Sequence, residues 1–445
     1  MRRRAGRSTK PPKKTDPNIG KTIDVTIDEI GSNGDGIGRF EGAPIYVPLA
    51  LPGDALSVRL CDRRGQGYAA ELVEGRTLMP RHQPICRHFG TCGGCRLQHL
   101  RPFDYRAWKR QQVQTALASR GIDDVEIKPL IDGHPASRRR LRLAFRPDGG
   151  RLALGLRRRL GSDIVAVQDC PITLPAIVNL LTPLRNDLGP LDLAVKGGEF
   201  SITAANNGLD VLIETNVEPS LADREGLAAL GETEDLARLA WRPDAGTPPE
   251  PIATRRQPIV DFGGIPLALP TGAFLQATKE AESAIRQAVA KVLDGSEVIA
   301  DLFAGCGALS LPYAKEGRRV QAIERDPLMV QALHAAASTA DCAAKISALA
   351  RDLDREPLMA SELQRFDGLI IDPPRAGARA QVEAIAAGHG PKKIAMVSCN
   401  PATFARDARI LIDAGHRLLW IQPIDAFLYS AEIELVGAFE RTITP

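Results

Sequence analysis

The chain has 445 residues, a length that predicts about three domains, each long enough to bury a core of its own. Hydrophobic residues make up 44% of it and charged residues 25%, and no apolar run is long enough to cross a bilayer, which excludes an integral membrane protein. The net charge of +3 is too small for a chain that binds polyanions with its whole surface.

Basic residues are concentrated in a few segments. Residues 1–17 combine Lys, Arg, Pro and Ser without apolar periodicity or a secretory signal, which predicts a disordered basic arm on a cytoplasmic protein. Two further clusters consist of Arg138, Arg139, Arg140 and Arg142, and of Arg157, Arg158 and Arg159. From charge alone, solvated strand faces and a surface that follows a nucleic-acid backbone are both open interpretations of these clusters.

Residues 18–76 are predicted to form a small β-barrel. Short alternating runs such as residues 23–27 and 45–48 are separated by glycines and by Pro52-Gly53. Several short strands joined by glycine turns are typical of an OB-like barrel. Such barrels often bind nucleic acids, although the fold by itself specifies no ligand.

Residues 77–265 are predicted to form a β-rich central domain that contains a cysteine cluster. A helix is expected at residues 102–121, which could pack on the following domain, and residues 243–258 are rich in Pro and Gly, which predicts a surface loop. Strand-like segments occur at residues 141–145, 164–167 and 211–213.

Residues 266–445 alternate apolar strands with amphipathic helices. This alternation predicts a doubly wound, Rossmann-like α/β domain. The strand-like segments are residues 297–302, 319–324, 368–372 and 393–398.

A glycine turn follows the first strand of this domain. Phe303, Gly305 and Gly307 lie in the turn, and Glu324 ends the next strand, where an acid can accept hydrogen bonds from ribose hydroxyls. Because Ala308-Leu309-Ser310 replaces the third glycine of a dinucleotide fingerprint, the turn favours a ligand without pyrophosphate, such as S-adenosylmethionine.

Two proline-containing motifs follow later strands of the same sheet. Asp372 begins Asp-Pro-Pro-Arg and Cys399 lies in Ser-Cys-Asn-Pro, so both should lie in rigid loops at the carboxyl edge, beside the cofactor turn. A cysteine in such a loop is a candidate nucleophile. Glu434 lies on a late apolar segment expected to return to the sheet, which makes it a candidate base, although its periodicity also fits a solvent-facing strand acid.

Four cysteines form a separate candidate metal site: Cys86, Cys92, Cys95 and Cys170. In a reducing compartment, such thiols favour a metal over disulfides, and either zinc or an iron-sulfur cluster fits them. Zinc sites usually have two paired cysteine knuckles, so the uneven spacing favours a [4Fe-4S] cluster with a structural or ligand-contacting role.

Taken together, these motifs resemble the bacterial RNA uracil-C5 methyltransferases, especially the branch that modifies 23S ribosomal RNA. The likeness extends over nearly the whole chain, and the N-terminal barrel is similar to a TRAM domain. The motifs that carry it are Phe274-Leu275-Gln276, Asp372-Pro373-Pro374-Arg375 and Ser398-Cys399-Asn400-Pro401.

The resemblance implies that the chain methylates uridine C5, with Cys399 as the nucleophile that adds to C6 and Glu434 as the base that removes the C5 proton. It also implies that the four cysteines hold a [4Fe-4S] cluster. The implied contacts with S-adenosylmethionine are Gln276, Phe303, Glu324, Asp352 and Asp372.

The chain departs from the family pattern at a few positions. Ala308 replaces a common Asn after the glycine turn, Glu432 replaces a common His, Leu428-Tyr429 replaces Pro-His, and Asp352 stands where Asn is frequent. Transfer RNA stays open as the substrate, because nothing in the chemistry of Cys399 distinguishes it from ribosomal RNA. Ala308 leaves a noncatalytic RNA-binding relative open as well. A cytoplasmic monomer with no membrane association is expected.

Overall fold

The computed structural model describes residues 16–149, 151–159, 161–388 and 390–441. The predicted disordered arm therefore lies outside the described residues, except for Asp16 and Pro17. The chain divides into two compact units, Met1–His82 and Gln83–Pro445. None of the helices in the described ranges has the length and apolar character needed to cross a bilayer.

The first unit contains a closed five-stranded barrel with the strand order β1-β2-β3-β5-β4. Its inner face is apolar because alternate residues of each strand point inward; Val25 and Ile27 of the first strand are both buried. The barrel expected from the short runs and glycine turns is thus confirmed. Its strands are β1 (Thr22–Ile30), β2 (Asp35–Phe40), β3 (Ala43–Pro48), β4 (Ala55–Arg64) and β5 (Gly67–Thr77).

The second unit begins with a helix and a mainly antiparallel sheet. The seven-stranded sheet has the order β13-β12-β11-β10-β7-β8-β9, and α2 and α3 pack on it. The elements in chain order are α1 (Pro102–Ala118), β6 (Glu126–Ile127), β7 (Arg140–Asp148), β8 (Arg151–Arg157), β9 (Ile164–Val165), α2 (Pro175–Leu188), β10 (Gly198–Ala205), β11 (Gly208–Glu214), α3 (Leu221–Thr233), β12 (Arg238–Arg242) and β13 (Glu250–Thr254).

The loop predicted at residues 243–258 is only partly correct, because β13 lies within it. Pro251 pairs with Ala240 on β12, and β13 forms the edge of the sheet. An edge strand tolerates a proline because one of its sides needs no backbone donor.

The rest of the second unit forms an α/β domain around an eight-stranded sheet with the order β18-β17-β16-β19-β20-β22-β21-β6. Its elements are β14 (Ile259–Asp261), β15 (Pro266–Ala268), α4 (Lys279–Val292), β16 (Val298–Leu302), α5 (Ser310–Lys315), β17 (Arg319–Glu324), α6 (Pro327–Thr339), β18 (Ile346–Ala350), α7 (Ala360–Leu363), β19 (Gly368–Ile371), α8 (Arg379–Ala386), β20 (Lys393–Ser398), α9 (Pro401–Asp413), β21 (His416–Ile424) and β22 (Glu434–Arg441).

The strand order reverses between β16 and β19, and this reversal locates a binding crevice. The strands from β16 to β20 are parallel, with β17 and β18 on one side of β16 and β19 and β20 on the other. In open α/β sheets, ligands bind at the carboxyl ends of the strands at this reversal. The predicted doubly wound domain is confirmed, and its crevice lies beside the turns that follow β16 and β19.

Helix α1 and strand β6 pack with this α/β domain. Ile127 of β6 pairs with Ile421 of β21. Val113 and Leu117 of α1 lie in the same apolar core as Phe404 of α9. The predicted helix at residues 102–121 is therefore present, and it contributes to the core beneath the C-terminal sheet.

Candidate active site

The turn after β16 has an unusual backbone conformation. Phe303, Gly305 and Gly307 have φ angles of 62°, 55° and 87°, in the left-handed region that favours glycine. A Cβ built at Gly305 would meet no atom within 4 Å, whereas one at Gly307 would lie 2.8 Å from the Leu333 side chain. Gly305 thus leaves open space above the turn, and Gly307 allows it to pack on α6.

Glu324 holds this turn from the end of β17. Its two carboxylate oxygens accept hydrogen bonds from the backbone N–H groups of Gly305 and Asp326, each at 2.9 Å. Asp352 follows the neighbouring strand β18, and its carboxylate accepts a hydrogen bond from its own turn, from Asp354 N at 3.1 Å. Both acids therefore lie at the carboxyl ends of neighbouring strands.

Asp301 is a buried acid beneath the turn that the sequence analysis did not single out. It is 0% exposed, and Oδ2 accepts a hydrogen bond from the Ser310 hydroxyl. Oδ1 has no hydrogen-bond partner among the described residues. The pKa of Asp301 is raised to about 7, mainly by burial and also by the nearby carboxylates of Asp372 and Glu324. An unpaired buried oxygen beside a binding turn is an atom that a ligand donor would satisfy.

The raised pKa of Asp301 makes a prediction about stability. An acid whose pKa is higher in the folded than in the unfolded chain binds its proton more tightly when folded, so its contribution is favourable at low pH and is lost as the pH rises from about 4 to about 7. The free energy of unfolding of the wild-type protein should therefore fall between pH 5 and pH 8. In Asp301→Asn this fall should be about 2 kcal/mol smaller. Urea unfolding of both proteins at the two pH values measures this, and equal pH dependence would contradict it.

Two loops at the carboxyl edge carry the predicted catalytic motifs. Asn400 caps helix α9, accepting a hydrogen bond from Ala402 N at 3.0 Å, and Pro401 is the first helical residue. The Asn400 amide and the Thr403 hydroxyl both donate to the Arg375 carbonyl oxygen at 3.3 Å. The Asp-Pro-Pro-Arg loop is thereby fastened to the residues that follow Cys399.

Cys399 is half-buried and surrounded by charged groups. The pKa of its thiol is raised to about 11, mainly by burial and also by the charges of Glu434, Asp372 and Glu432, while Arg375 opposes the shift. Arg375 also pairs with Glu432, Nη2 to Oε1, at 3.0 Å. Since the thiol is protonated at neutral pH in this environment, any attack by this sulfur would require the removal of its proton.

Glu434 is the first residue of β22 and lies beside Cys399. Ser398 pairs with Leu435 across β20 and β22, which places Glu434 next to the end of β20. The Glu434 side chain is 3% exposed. Burial raises its pKa well above the usual value, and Asp372 and Glu432 add to the shift. A buried carboxylate of this kind is a strong proton acceptor.

Gln276 reaches the same crevice from the segment before α4. Its amide donates to Asp372 Oδ2 at 3.4 Å. Behind it, Arg139 is 2% exposed, donates from Nε to the Gln276 carbonyl at 3.0 Å and pairs with Glu282. Arg139 therefore fits neither interpretation of the basic cluster, because it supports the crevice from inside and is not on a solvated or phosphate-binding surface.

The geometry thus brings most of the predicted site residues together. Asp372 connects the two halves of the crevice, because it contacts Gln276 and lies in the electrostatic neighbourhood of Asp301 and Cys399. Arg375 lowers the pKa of the Cys399 thiol, an influence that the sequence signals by placing a cation in the loop beside the candidate nucleophile.

The four predicted metal-binding cysteines also come together, around a cavity of about 150 Å³. Cys92 Sγ accepts a hydrogen bond from Gly94 N at 3.4 Å, and Cys170 Sγ accepts one from the Thr173 hydroxyl at 3.2 Å. Burial raises the pKa of Cys95 to about 12. Across the described ranges, no three His, Cys, Asp or Glu side chains are arranged to hold one metal ion.

Comparison with known proteins supports this architecture. Residues 18–72 match the TRAM domain, and residues 277–372 match the TRM5/TYW2 methyltransferase domain. The fold is similar to that of the Pyrococcus abyssi tRNA (uracil-54, C5)-methyltransferase, solved with S-adenosyl-L-homocysteine, at a TM-score of 0.73 and 23% identity, covering 93% of this chain and 99% of that one.

Relatives align with nearly the whole sequence. A Caulobacter vibrioides protein named as an RNA methyltransferase is 41% identical over 94% of this chain and 100% of its own length. The 23S rRNA (uracil(1939)-C(5))-methyltransferase RlmD of Aeromonas salmonicida is 31% identical, covering 97% of this chain and 99% of its own. The chain therefore belongs to the bacterial RNA (uracil-C5)-methyltransferase family and is an RNA methyltransferase with an N-terminal TRAM domain.

Proposed function

We propose that the chain methylates C5 of a uridine in 23S ribosomal RNA, with S-adenosylmethionine as the methyl donor and Cys399 as the nucleophile. The observation that carries the proposal is the position of Cys399, which is half-buried at the carboxyl edge of the sheet beside Glu434 and Asp372. This edge is also where the glycine turn and Glu324 form the predicted cofactor site.

The chemistry explains why a thiol and a base are needed together. C5 of uracil is a poor nucleophile until a group adds at C6. The Cys399 thiol gives up its proton to solvent water as Sγ forms a bond to C6, and the C5–C6 electron pair moves toward O4 to give an enolate. S-adenosylmethionine supplies the methyl group that C5 accepts. Glu434 then removes the C5 proton, the C5–C6 double bond re-forms, and the thiolate leaves C6.

The residues at the crevice would hold the methyl donor. Open space at Gly305, the fixed carboxylate of Glu324 and the unpaired Asp301 Oδ1 fit a ligand with hydroxyl and ammonium groups. The proposed contacts are Gln276, Phe303, Gly305, Gly307, Glu324, Asp352 and Asp372.

The choice of ribosomal RNA rests on the relative that is named for it and aligns over nearly the full length. The test incubates the protein with methyl-labelled S-adenosylmethionine and either 23S ribosomal RNA or transfer RNA, then digests the RNA to nucleosides. Labelled 5-methyluridine from ribosomal RNA supports the proposal. Label from transfer RNA alone contradicts the substrate, and donor binding without methylation of either RNA favours a noncatalytic RNA-binding protein.

We further propose that Cys86, Cys92, Cys95 and Cys170 bind a [4Fe-4S] cluster. Their arrangement around one cavity supports this. The Cys92 and Cys170 sulfurs also accept hydrogen bonds of the kind that tune the reduction potential of such clusters.

The cluster proposal predicts the iron and sulfide content of protein purified without oxygen. Wild-type protein should contain both, and Cys95→Ser should lose most of each, because a hydroxyl is a poor ligand for this iron. Cys342→Ser changes a buried cysteine outside the cavity and serves as the matched control. Bound zinc in place of iron and sulfide would overturn the assignment.

The same proposal includes the predicted domain division: a TRAM barrel at 18–76, a central RNA-binding domain at 77–265 and a methyltransferase domain at 266–445. It also includes a cytoplasmic monomer. The position of α1 in the α/β core supports the expectation that residues 102–121 pack on the catalytic domain.

A further inference from the structure

The loop between β21 and β22 controls where the proposed base lies. Ile424 and Glu434 form the last residue pair between β21 and β22. Residues 425–433 therefore form a closed loop, and Glu434 is the first residue after it. Because Glu434 directly follows this loop, a shift of the loop would move the Glu434 carboxylate. Cys399 follows β20, a different strand, so its position would not change in the same way.

A buried lysine of helix α1 joins the two ends of the loop. Lys109 is 0% exposed, and its ammonium pairs with Asp425 Oδ1 at 3.0 Å. The same ammonium donates to the Glu432 carbonyl oxygen. One cation from another element thus fixes both the start of the loop and the residue two positions before Glu434. Burying an ion pair costs solvation energy that an apolar contact would avoid, so it is a weak source of stability here.

A tyrosine one turn earlier in α1 holds the middle of the loop. The Tyr105 hydroxyl donates to Asp425 Oδ2 at 2.7 Å and accepts from the Tyr429 N–H at 2.9 Å. Tyr429 has a φ of 59°, a conformation that costs free energy for a side chain of this size. Its carbonyl oxygen accepts hydrogen bonds from the N–H groups of Arg96 and Leu97, at 2.8 and 3.0 Å.

We infer that Tyr105 and Lys109 are positioning residues that fix the 425–433 loop, so that Glu434 is aimed at the C5 proton while the addition of Cys399 proceeds without them. The inference rests on the proposed function, since it concerns the proton-removal step of that reaction. Arg96 and Leu97 directly follow Cys95, and their hydrogen bonds to the Tyr429 carbonyl also fix the 425–433 loop to the cysteine-rich loop.

The test is Tyr105→Phe, which removes one hydroxyl and keeps the ring. With RNA containing 5-fluorouridine, whose fluorine cannot leave as a proton, formation of the covalent Cys399 adduct should stay within about twofold of wild type. With ordinary RNA, turnover should fall about tenfold because the base is misplaced, and methylated RNA covalently bound to the protein should accumulate.

Tyr313→Phe is the matched control, because Tyr313 is also buried but its hydroxyl has no hydrogen-bond partner among the described residues. It should match wild type in both reactions. In a Glu434→Gln background, Tyr105→Phe should have no further effect on turnover, because the step that it impairs is already lost.

Three results would overturn the inference. Equal slowing of both reactions by Tyr105→Phe would show a general structural defect, and unchanged turnover would show that the loop needs no such support. Additive losses in the Glu434→Gln background would place the effect elsewhere. Failure of the wild-type protein to form the 5-fluorouridine adduct would instead overturn the proposed function, so the two failures are distinguishable.

Discussion

Cys399→Ala should lower the rate of uridine methylation at least about 10⁴-fold, because the substrate carbon cannot be activated without a group that bonds to C6. The same substitution should abolish the stable adduct with 5-fluorouridine RNA, which is seen as a protein–RNA band that survives denaturation. Cys342→Ala is the control, since it removes a buried thiol that lies in the same apolar core as Leu333 and Ala337 of α6.

The pH dependence of adduct formation gives a second measure of the same residue. The pKa of Cys399 is raised to about 11, so the thiolate fraction increases with pH throughout the neutral range. The rate of adduct formation should therefore rise with pH from 6 to 9. A Cys399→Ala protein that still forms the adduct, or a rate that falls over this range, would contradict the assignment of the nucleophile.

Glu434→Gln should slow turnover about 10²- to 10⁴-fold, the range expected when a general base is lost. The amide has nearly the same shape as the carboxylate but cannot accept the C5 proton. Thiol addition and methyl transfer precede this step, so ordinary RNA should stay bound to Cys399 as a methylated covalent complex. Denaturing electrophoresis followed by nuclease digestion and mass spectrometry of the Cys399 peptide would detect it.

Glu440→Gln is the matched control for the base. Glu440 lies on the same strand, β22, but at the opposite end, near Lys392. It should leave turnover unchanged and produce no covalent complex. If Glu434→Gln instead prevents adduct formation with 5-fluorouridine RNA, Glu434 acts on the thiol or on binding, and another group removes the C5 proton.

The strands that carry the site could be predicted from the sequence because burial on both faces leaves an apolar run with clear ends. The predicted segments 319–324 and 393–398 coincide with β17 and β20. The prolines after Asp372 and Asn400 mark where β19 and β20 have to stop. This is why the neighbourhood of Cys399 and Asp372 was predictable, although its electrostatics were not.

The contacts across long stretches of sequence could not be predicted. The apolar residues Val113 and Leu117 show that α1 has a buried face, but nothing in their spacing says which core buries it. From the sequence, Arg139 and Lys109 are predicted to be surface cations, since lysine and arginine are almost never fully buried unless they are paired. Their partners, Glu282 and Asp425, lie far away along the chain.

The pairing of β6 with β21 affects how the protein is made. Ile127 leaves the ribosome long before its partner Ile421, which follows about 290 residues later. At synthesis rates of 5–20 residues per second, the helix and short strand near the beginning wait roughly 15–60 s for the segment that completes their sheet. During this interval the apolar side of α1 is uncovered, and the nascent chain is exposed to chaperones and to association with its neighbours.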